Sequence, residues 1–409
     1  MYHKNKKSYF DAQFLSNKSN IKKTWSLINS IINKSNKPAL PDHFLDSLGN
    51  KITDSLDISN HFNSYFSEIG TKLSNQIPPS SKSFTDYLLP PPACNFEFST
   101  VDENDVLKVI NSLKSKSSSG IDSMSTKLSK SIKVKVSPIL TLIFNQSIMA
   151  QTFPNRLTIA KVVPVYKKGD PMCFENYRPI SLLPTISKVF ERLLHNQMTY
   201  YLETNQLIIP NQFGYRRGHS TELASATLVE RIHNLMDKKL DTIGIFMDLS
   251  KAFDTIDHKI LLKKLKQLNF AETSLNLIKS YLNDRTQCVE ILGELSNFKT
   301  ITLGVPQGSI LGPLLFILYI NDINNVSDLF DSVLYADDTT LTYSPTRTLD
   351  AIHTSNVINS ELDKFNQWFR ANKLSLNVTK TNFMIFHPPR ITPLDLKLQI
   401  NGINIERLK

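Results

Sequence analysis

Two stretches of the sequence decide the fold: residues 242–254 read TIGIFMDLSKAFD, and residues 332–343 read SVLYADDTTLTY. The first is typical of a buried strand that ends just before Asp248. The second holds two short β-type runs separated only by Asp337 and Asp338, which is hairpin spacing although the pair is not the favoured Asn-Gly. If this hairpin lies beside the first strand, three carboxylates converge on one edge of a sheet.

A carboxylate cluster of this kind is electrostatically costly unless cations fill it. Magnesium suits that role, because one or two carboxylates hold it while other positions remain for water and substrate phosphates. Two such ions ~3.5–4 Å apart clamp the attacking and leaving oxygens of a phosphoryl transfer. The alternative interpretation is structural: Asp-Asp is a common turn pair, and Asp248 would be a strand-end residue or a helix cap.

The elements around these stretches predict an α+β fold. From residue 243 the pattern indicates strand, helices, hydrophobic helix, hairpin, helix and strand, and a split βαβ, ferredoxin-like sheet backed by helices is the simplest packing for that order. The predicted strands are Ile243–Met247, the hairpin strands Ser332–Ala336 and Thr339–Tyr343, and Asn382–Phe386. Helices are predicted over about 258–282 and 349–371, and the loop Gly304–Gly312 begins a further helix that runs to about Asn324.

The region before residue 243 contains further elements. The apolar run Ile159–Val165 and the segment Tyr177–Leu183 are predicted strands, and a helix is predicted over 220–239. Thr100 and Glu103 form a capping-box pattern, so a helix and the main domain should begin there.

The N-terminal region has a different character. Residues 1–37 form a basic, Asn- and Ser-rich arm that contains one amphipathic helix. Its apolar positions recur at helical spacing: Ile21, Trp25, Ile28 and Ile32. From residue 37 to about 92 the sequence is irregular and closes in LLPPP, which indicates a linker, because proline is excluded from helix and sheet interiors.

Charge is distributed unevenly over the 409 residues. The formal net charge is +10, from 47 Lys and Arg against 37 Asp and Glu. Residues 1–37 carry +7, 38–107 carry −7, 108–135 carry +6 and 136–409 carry +4. Cation clusters suit a polyanion such as nucleic acid, and lysine runs are also ordinary solvated surface, so charge alone leaves both interpretations open.

Several classes of protein are excluded by composition. Only Cys94, Cys173 and Cys288 occur, without a CxxC pair, which excludes a disulfide scaffold and a cysteine zinc module and favours a reducing compartment. The longest apolar run, Ile310–Ile320, is well short of the ~20 residues of a membrane helix, and the N-terminus has no apolar signal core. We therefore expect an intracellular protein of the cytoplasm or nucleus, without a membrane segment.

Six motifs stand in a recognisable order. They are SSGIDSMS at 118–125, VVPVYKKGDPMCFENYRPISLLP at 162–184, NQFGYRRGHST at 211–221, FMDLSKAFD at 246–254, GVPQGS at 304–309 and YADD at 335–338. Together they resemble the fingers and palm motifs of reverse transcriptases, especially those of non-LTR (LINE-type) retrotransposons. The likeness spans about residues 100–409. It implies a right-hand polymerase with fingers and palm, in which the ferredoxin-like sheet is the palm.

The resemblance implies roles for the palm residues. Asp248 and Asp337 match the aspartates that bind both catalytic Mg²⁺ ions, with Mn²⁺ as a substitute, and Asp338 matches the accompanying carboxylate. Phe253 matches the steric gate that excludes a ribose 2′-hydroxyl, although a core phenylalanine at a helix start is the structural alternative. Lys380 matches a lysine that protonates the leaving pyrophosphate, although an exposed loop lysine is ordinary.

Other matched residues would bind substrates. Gln307 and Gly308 match the loop that packs on the incoming nucleotide and template base. The remaining matches are cationic side chains. Lys167 or Lys168, together with Arg178, match residues that bind the triphosphate of the nucleotide. Arg216 and Arg217 match residues that contact template phosphates.

The family implies an RNA-directed DNA polymerase core that uses an RNA template, a DNA primer or target, and dNTPs. Expected segments are a basic connector and linker (1–95), N-terminal extension and fingers (96–240), palm (241–390), and the start of a truncated thumb or primer grip (391–409). A thumb and an endonuclease are expected to be absent. The alternatives are a nucleic-acid-binding remnant without useful turnover and a group II intron-type maturase.

Overall fold

The computed structural model describes residues 2–18, 20–31, 40–46, 48–346, 350–388 and 392–408. It is a mixed α/β structure with several sheets. The chain divides into two compact units, a smaller one of residues 1–53 and 166–178 and a larger one of residues 54–165 and 179–409. The predicted apolar position Ile32 lies outside the described residues.

The described helices are α1 (Tyr2–Ser16), α2 (Ile21–Ile31), α3 (Ser55–Gln76), α4 (Glu103–Ser112), α5 (Thr126–Ser131), α6 (Lys133–Met149), α7 (Thr185–Thr204), α8 (Thr221–Asp237), α9 (His258–Gln267), α10 (Glu272–Leu282), α11 (Leu311–Tyr319) and α12 (Ala351–Ala371). The described strands are β1 (Phe44–Leu45), β2 (Lys51–Ile52), β3 (Ala160–Tyr166), β4 (Tyr177–Leu182), β5 (Thr242–Met247), β6 (Arg285–Ile291), β7 (Glu294–Leu295), β8 (Lys299–Ile301), β9 (Asp331–Tyr335), β10 (Asp338–Tyr343), β11 (Asn382–Phe386), β12 (Gln399–Ile400), β13 (Ile403–Asn404) and β14 (Glu406–Arg407). None of these helices is both long enough and apolar enough to cross a bilayer.

The smaller unit is built on a two-stranded hairpin. β1 and β2 pair antiparallel, and Phe44 of β1 stacks on Phe174 with 5.1 Å between ring centroids and tilts against Tyr177 at 5.7 Å. The Leu45 N–H donates to the Met172 carbonyl at 3.1 Å. These contacts join the hairpin to the turn between β3 and β4.

The main sheet of the larger unit has the spatial order β14-β11-β5-β10-β9. β5 lies between β10 and β11 and runs antiparallel to both. Along the chain α9 to α11 come between β5 and β9, and α12 comes between β10 and β11, so the four long strands have β-α-β-β-α-β connectivity. β12 and β13 form a separate hairpin, and β14 adds to β11 in parallel.

The hairpin of this sheet turns one residue earlier than predicted. Asp338 pairs with Tyr335, so the turn residues are Ala336 and Asp337 rather than Asp337 and Asp338. Ala336 adopts φ 57°, the left-handed conformation that tight hairpin turns require, and the chain therefore reverses before Asp338. As a result Asp338 is the first residue of β10.

A second sheet has the order β4-β3-β6-β7, with β8 paired to β6. β3 runs parallel to β6, where Ala160 lies opposite Gln287. Sequence reasoning predicted β3 and β4 but missed β6 to β8. Buried Arg285 and Gln287 explain the omission of β6, because polar residues at buried positions break the apolar pattern that marks a strand.

The segment from 37 to 92 is not irregular throughout, as the sequence had suggested, because it contains α3. Asp54 caps this helix, accepting two backbone N–H bonds at its first turn at 3.0 and 2.9 Å. Ile58, Phe62 and Phe66 lie four residues apart on one face and are buried, and α3 packs on β6. The linker interpretation was therefore wrong for this part of the segment, since the terminal prolines obscured an amphipathic helix before them.

The start of α4 also differs from the prediction. The capping box is formed by Asp102 and Asp105, not by Thr100 and Glu103. The Asp105 N–H donates to Asp102 Oδ1 at 2.8 Å, and the Asp102 N–H donates to Asp105 Oδ2 at 3.4 Å. Aspartate can perform both halves of this motif, which moves the helix start by two residues.

An ion pair is buried beneath the main sheet. Lys264 of α9 places Nζ 2.8 Å from Asp322 Oδ1 and donates to the Tyr319 carbonyl at 2.6 Å. The two charged side chains are 3% and 8% exposed. The Lys264 ammonium also lies 5.4 Å from the centre of a Trp368 ring. Burial lowers the pKa of Lys264 and raises that of Asp322, and the attraction between the two opposes both shifts.

Candidate active site at the edge of the main sheet

The register of the main sheet brings two of the palm motifs together. Thr339 of β10 pairs with Met247 of β5 at the end of this ladder. Asp338 and Asp248 are the next residues beyond that last pair, so both lie at the same edge of the sheet. Asp337 precedes them in the turn. Asp248 and Asp337 are half-buried, whereas Asp338 is exposed.

The segment 211–215 holds this aspartate hairpin in place. The buried Gln212 side chain accepts hydrogen bonds through Oε1 from the backbone N–H of Ala336 at 3.0 Å and of Gly214 at 2.8 Å. A Cβ at Gly214 would collide with the backbone nitrogen of Ala336. Glycine is required at this position because the two backbones touch.

The loop before β11 contacts Asp248 from the other side. The Asn377 N–H donates to the Asp248 carbonyl at 2.8 Å, and the Ser250 N–H donates to the Ser375 carbonyl at 2.8 Å. Lys380 in this loop has Nζ 3.8 Å from Asp248 Oδ2, with the two side chains 53% and 42% exposed. Solvent weakens such a pair, so it contributes more to the local charge than to stability.

Phe253 lies between two other aromatic rings. Its ring stacks on Phe316 of α11, with centroids 4.7 Å apart, and meets the edge of Tyr215 at 6.2 Å. Burial raises the pKa of Tyr215, and the charge of Asp337 raises it further. Tyr215 therefore connects Phe253 with the aspartate hairpin.

Gln307 is fixed by the segment that follows Phe253. Its Nε2 lies 2.9 Å from both carboxylate oxygens of Asp254. The Ser181 N–H donates to the Gln307 carbonyl at 2.8 Å. Gly308 has φ +123°, and a Cβ there would lie 2.7 Å from the Ser181 carbonyl oxygen, so glycine allows the loop to approach β4.

Two buried side chains fix the ends of the GVPQGS loop. Glu191 of α7 is fully buried and accepts the N–H groups of Ile310 at 2.7 Å and Leu311 at 3.2 Å, where α11 begins. A carboxylate at a helix N-terminus is stabilised by the unpaired N–H groups there. At the other end His258 Nε2 contacts the Gly304 carbonyl at 2.7 Å.

The predicted triphosphate cations belong to the smaller unit. Lys167, Lys168 and Arg178 are all exposed there. The Lys167 N–H donates to the Asn176 carbonyl at 2.8 Å, which closes the turn that carries both lysines.

The two predicted template arginines differ from each other. Arg216 donates to both carboxylate oxygens of Glu203 at 2.9 and 2.7 Å and to two backbone carbonyls, so its guanidinium joins parts of the protein. Arg217 is exposed at a groove of about 870 Å³ that also contains Arg192 and His195. Burial, with the charge of Arg192, lowers the pKa of His195 to about 4, which leaves this histidine neutral near pH 7.

The carboxylates at the sheet edge fit a divalent ion by their chemistry. Carboxylate oxygens are hard donors, and Mg²⁺ takes one or two of them while water and phosphate oxygens complete its octahedron. Within the part of the chain that the structure describes, no three His, Cys, Asp or Glu side chains form a complete metal-binding group.

Sequence reasoning missed the residues that support the site. Gln212 and Asp254 lie inside recognised motifs and Glu191 follows one by seven residues, and each holds a loop of the site by a hydrogen bond. Polar residues within otherwise apolar segments were the available signal. Their partners could not be inferred, because the contacts join residues 53 to 124 positions apart.

Comparison with known proteins gives the family of this chain. Residues 165–401 match the family model described as reverse transcriptase (RNA-dependent DNA polymerase). The chain belongs to the reverse transcriptase family, whose members generally use divalent metal ions.

The similar proteins come from transposons that lack long terminal repeats. The chain is 31% identical over 311 residues to the "Probable RNA-directed DNA polymerase from transposon BS" of Drosophila melanogaster, covering 74% of this chain and 34% of that protein. It is 30% identical over 315 residues to the RNA-directed DNA polymerase from mobile element jockey of the same species, covering 75% and 34%. The chain thus spans about a third of the length of these relatives.

Proposed function

We propose that this chain is the RNA-directed DNA polymerase core of a non-LTR retrotransposon, adding deoxynucleotides to a primer 3′-hydroxyl. The observation that carries the proposal is the pairing of β5 with β10, whose last pair is Thr339 with Met247, because Asp338 and Asp248 come directly after that pair and Asp337 lies in the adjacent turn. In this interpretation the main sheet is the palm of a right-hand polymerase. Residues 96–240 would supply the N-terminal extension and the fingers, and residues 1–95 the connector and linker.

The reaction forms one P–O bond and breaks another. The primer 3′-hydroxyl oxygen attacks the α-phosphorus, its proton passes to solvent, and the bond from the α-phosphorus to pyrophosphate breaks. Two Mg²⁺ ions, or Mn²⁺ in their place, would be held by Asp248 and Asp337, with Asp338 beside them, and would supply charge stabilisation for both oxygens. Lys380 would donate a proton to the departing pyrophosphate, and its ammonium group 3.8 Å from the Asp248 carboxylate supports this role.

Other residues would bind the substrates. Gln307 and Gly308 would contact the nucleotide and template base, and Lys167 or Lys168 with Arg178 would bind the triphosphate. Arg217 is the better of the two arginines for a template phosphate, because Arg216 is bonded to Glu203.

A primer-extension assay on poly(rA)–oligo(dT) with Mg²⁺ tests the proposal. Extension by the wild-type chain, absent in Asp337→Asn, supports it. Binding of the duplex without extension above that control contradicts polymerase activity and supports the alternative of a nucleic-acid-binding protein.

Replacing Phe253 with valine should reduce discrimination against ribonucleotides. The aromatic ring is held against Phe316, so it presents a fixed surface to the sugar. A steric clash of ~1–3 kcal/mol corresponds to roughly 5- to 150-fold in discrimination. The measurement is the ratio of kcat/KM for dTTP and UTP. Phe298→Val, at an exposed phenylalanine, is the matched control and should leave the ratio unchanged.

Replacing Arg217 with alanine should weaken binding to a primer–template duplex by the same factor whatever the nucleotide sequence of the duplex. Loss of one phosphate contact should reduce the slope of log affinity against log salt by ~0.7–0.9. Arg156→Ala removes another exposed arginine and serves as the control. Equal slopes for wild type and Arg217→Ala would remove Arg217 from the nucleic-acid interface.

A further inference from the structure

Asp254 is an acidic residue that the polymerase reaction itself does not explain. It follows Phe253 directly, but its side chain turns to the GVPQGS loop, where both carboxylate oxygens lie 2.9 Å from Gln307 Nε2. An ionised carboxylate only accepts hydrogen bonds, so it must face the NH₂ end of the glutamine amide. Among the described residues, Gln307 Oε1 has no hydrogen-bond partner.

The backbone of Asp254 is held rigidly. Its N–H donates to the Lys251 carbonyl at 2.8 Å. A Cβ at Gly304 would lie 2.8 Å from the Asp254 Cα, and a Cβ at Gly70 of α3 would collide with the Asp254 carbonyl oxygen. Two glycines from different parts of the chain therefore allow close packing around this residue. A carboxylate on so fixed a backbone can orient a neighbouring side chain.

A small cavity lies next to Asp254. The cavity next to it measures about 40 Å³, which is room for water but not for a nucleotide. Arg285 is the other charged residue that lines the cavity, and α3 contributes Phe66, Ser67 and Gly70 to it. Burial raises the pKa of Asp254 to about 6, against the opposing effects of the Gln307 hydrogen bond and the charge of Lys251. The carboxylate is thus ionised above pH 7, as the contact with the NH₂ group requires.

We propose that Asp254 is a positioning residue: it holds the Gln307 amide so that Gln307 presents its carbonyl oxygen, a hydrogen-bond acceptor, to the incoming nucleotide. This inference rests on the proposed function. It explains why an acidic residue adjoins the candidate gate Phe253, since one short segment would then control both the sugar edge and the orientation of the glutamine. Without Asp254 the amide could rotate and present its NH₂ group instead.

A double-mutant cycle tests this role. The variants are Asp254→Ala, Gln307→Ala and the pair together, and the readouts are the Kd for dTTP on a primer–template complex and kcat and KM in primer extension. We expect each single variant to weaken dTTP binding and raise KM about tenfold, with a smaller change in kcat, since tenfold corresponds to ~1.4 kcal/mol, about the contribution of one hydrogen bond. The double variant should be no worse than Gln307→Ala alone, because Asp254 acts through Gln307.

If the two substitutions act independently, their effects on the KM for dTTP multiply and the double variant shows a rise of about a hundredfold, which would overturn the proposal. An unchanged KM in Asp254→Ala would also overturn it. If Asp254→Ala does not fold, Asp254→Asn takes its place in the cycle, because it keeps the shape, removes the charge and replaces one acceptor oxygen with an NH₂ donor. In wild type the KM for dTTP should rise as pH falls through about 6, and Asp254→Asn should lack that component. Asp363→Ala, at an exposed carboxylate of α12, is the control.

The failure of this inference can be separated from failure of the proposed function. A wild-type chain that neither binds nor incorporates dTTP overturns both. If the wild-type chain extends the primer but the effects of Asp254→Ala and Gln307→Ala on KM multiply in the double variant, only the proposed role of Asp254 is overturned.

Discussion

Asp337→Asn is expected to lower the single-turnover rate of primer extension by about 10³-fold or more. Asparagine has the same shape but lacks the charge that would hold a divalent ion beside the primer 3′-oxygen. Metal-ion stabilisation of a phosphoryl-transfer transition state is worth several kcal/mol, and ~4 kcal/mol corresponds to ~10³ in rate. Asp337 is half-buried in a two-residue turn and outside the paired strands, so the sheet should be unaffected.

A second measurement on the same variant separates metal binding from damage to the fold. Mg²⁺ should raise the Tm of the wild-type chain, since a ligand that binds only the folded state stabilises it. In Asp337→Asn that rise should be reduced, while the Tm without metal should be equal or higher because one of three neighbouring negative charges is gone. Asp363→Asn is the matched control at an exposed aspartate. A residual rate within tenfold of wild type would rule out Asp337 as a metal ligand.

The location of these aspartates could be predicted because it depends on local patterns. Ile243–Met247 is an apolar run that ends at a carboxylate, and the β-type runs around YADD leave room only for a tight turn. The two strands of a hairpin are always neighbours in a sheet. One further pairing, of β5 with β10, is enough to bring Asp248 to the same edge of the main sheet as the hairpin turn. The shift of the turn to Ala336 was not predictable, because an alanine at φ 57° is set by its contacts with Gln212 and Gly214.

The supporting residues could not be predicted for a different reason. Periodicity shows which face of an element is buried, but it does not show which polar groups meet across the chain. Asp254 and Gln307 are 53 residues apart, and Glu191 is 119 residues before the helix end that it caps. α3 could not be predicted for a similar reason. Its apolar face, which includes Phe62 and Phe66, is buried because the helix packs against β6, and that contact is distant in the sequence.

Lys264→Met is expected to lower the free energy of unfolding by about 3–5 kcal/mol. The substitution fills most of the space of the lysine chain but removes the ammonium that pairs with Asp322 at 2.8 Å. The Asp322 carboxylate would then remain buried without its partner, and breaking a buried pair on one side carries a cost of that size. Urea unfolding of wild type and variant measures the difference. Lys259→Met, at an exposed lysine of the same helix, should change the stability by no more than ~0.5 kcal/mol.

The double variant Lys264→Met, Asp322→Leu should recover most of this loss, because neither charge then remains buried. The stability of the single variant Lys264→Met should also depend on pH in a defined direction. Without Lys264 the folded-state pKa of Asp322 lies further above its unfolded value, so the folded state holds the proton and loses stability as pH rises above the unfolded pKa. The deficit of Lys264→Met relative to wild type should therefore be larger at pH 8 than at pH 5. A deficit that is the same at both pH values would mean that the methionine perturbs packing around Tyr319 and Trp368 instead of leaving a charge unpaired.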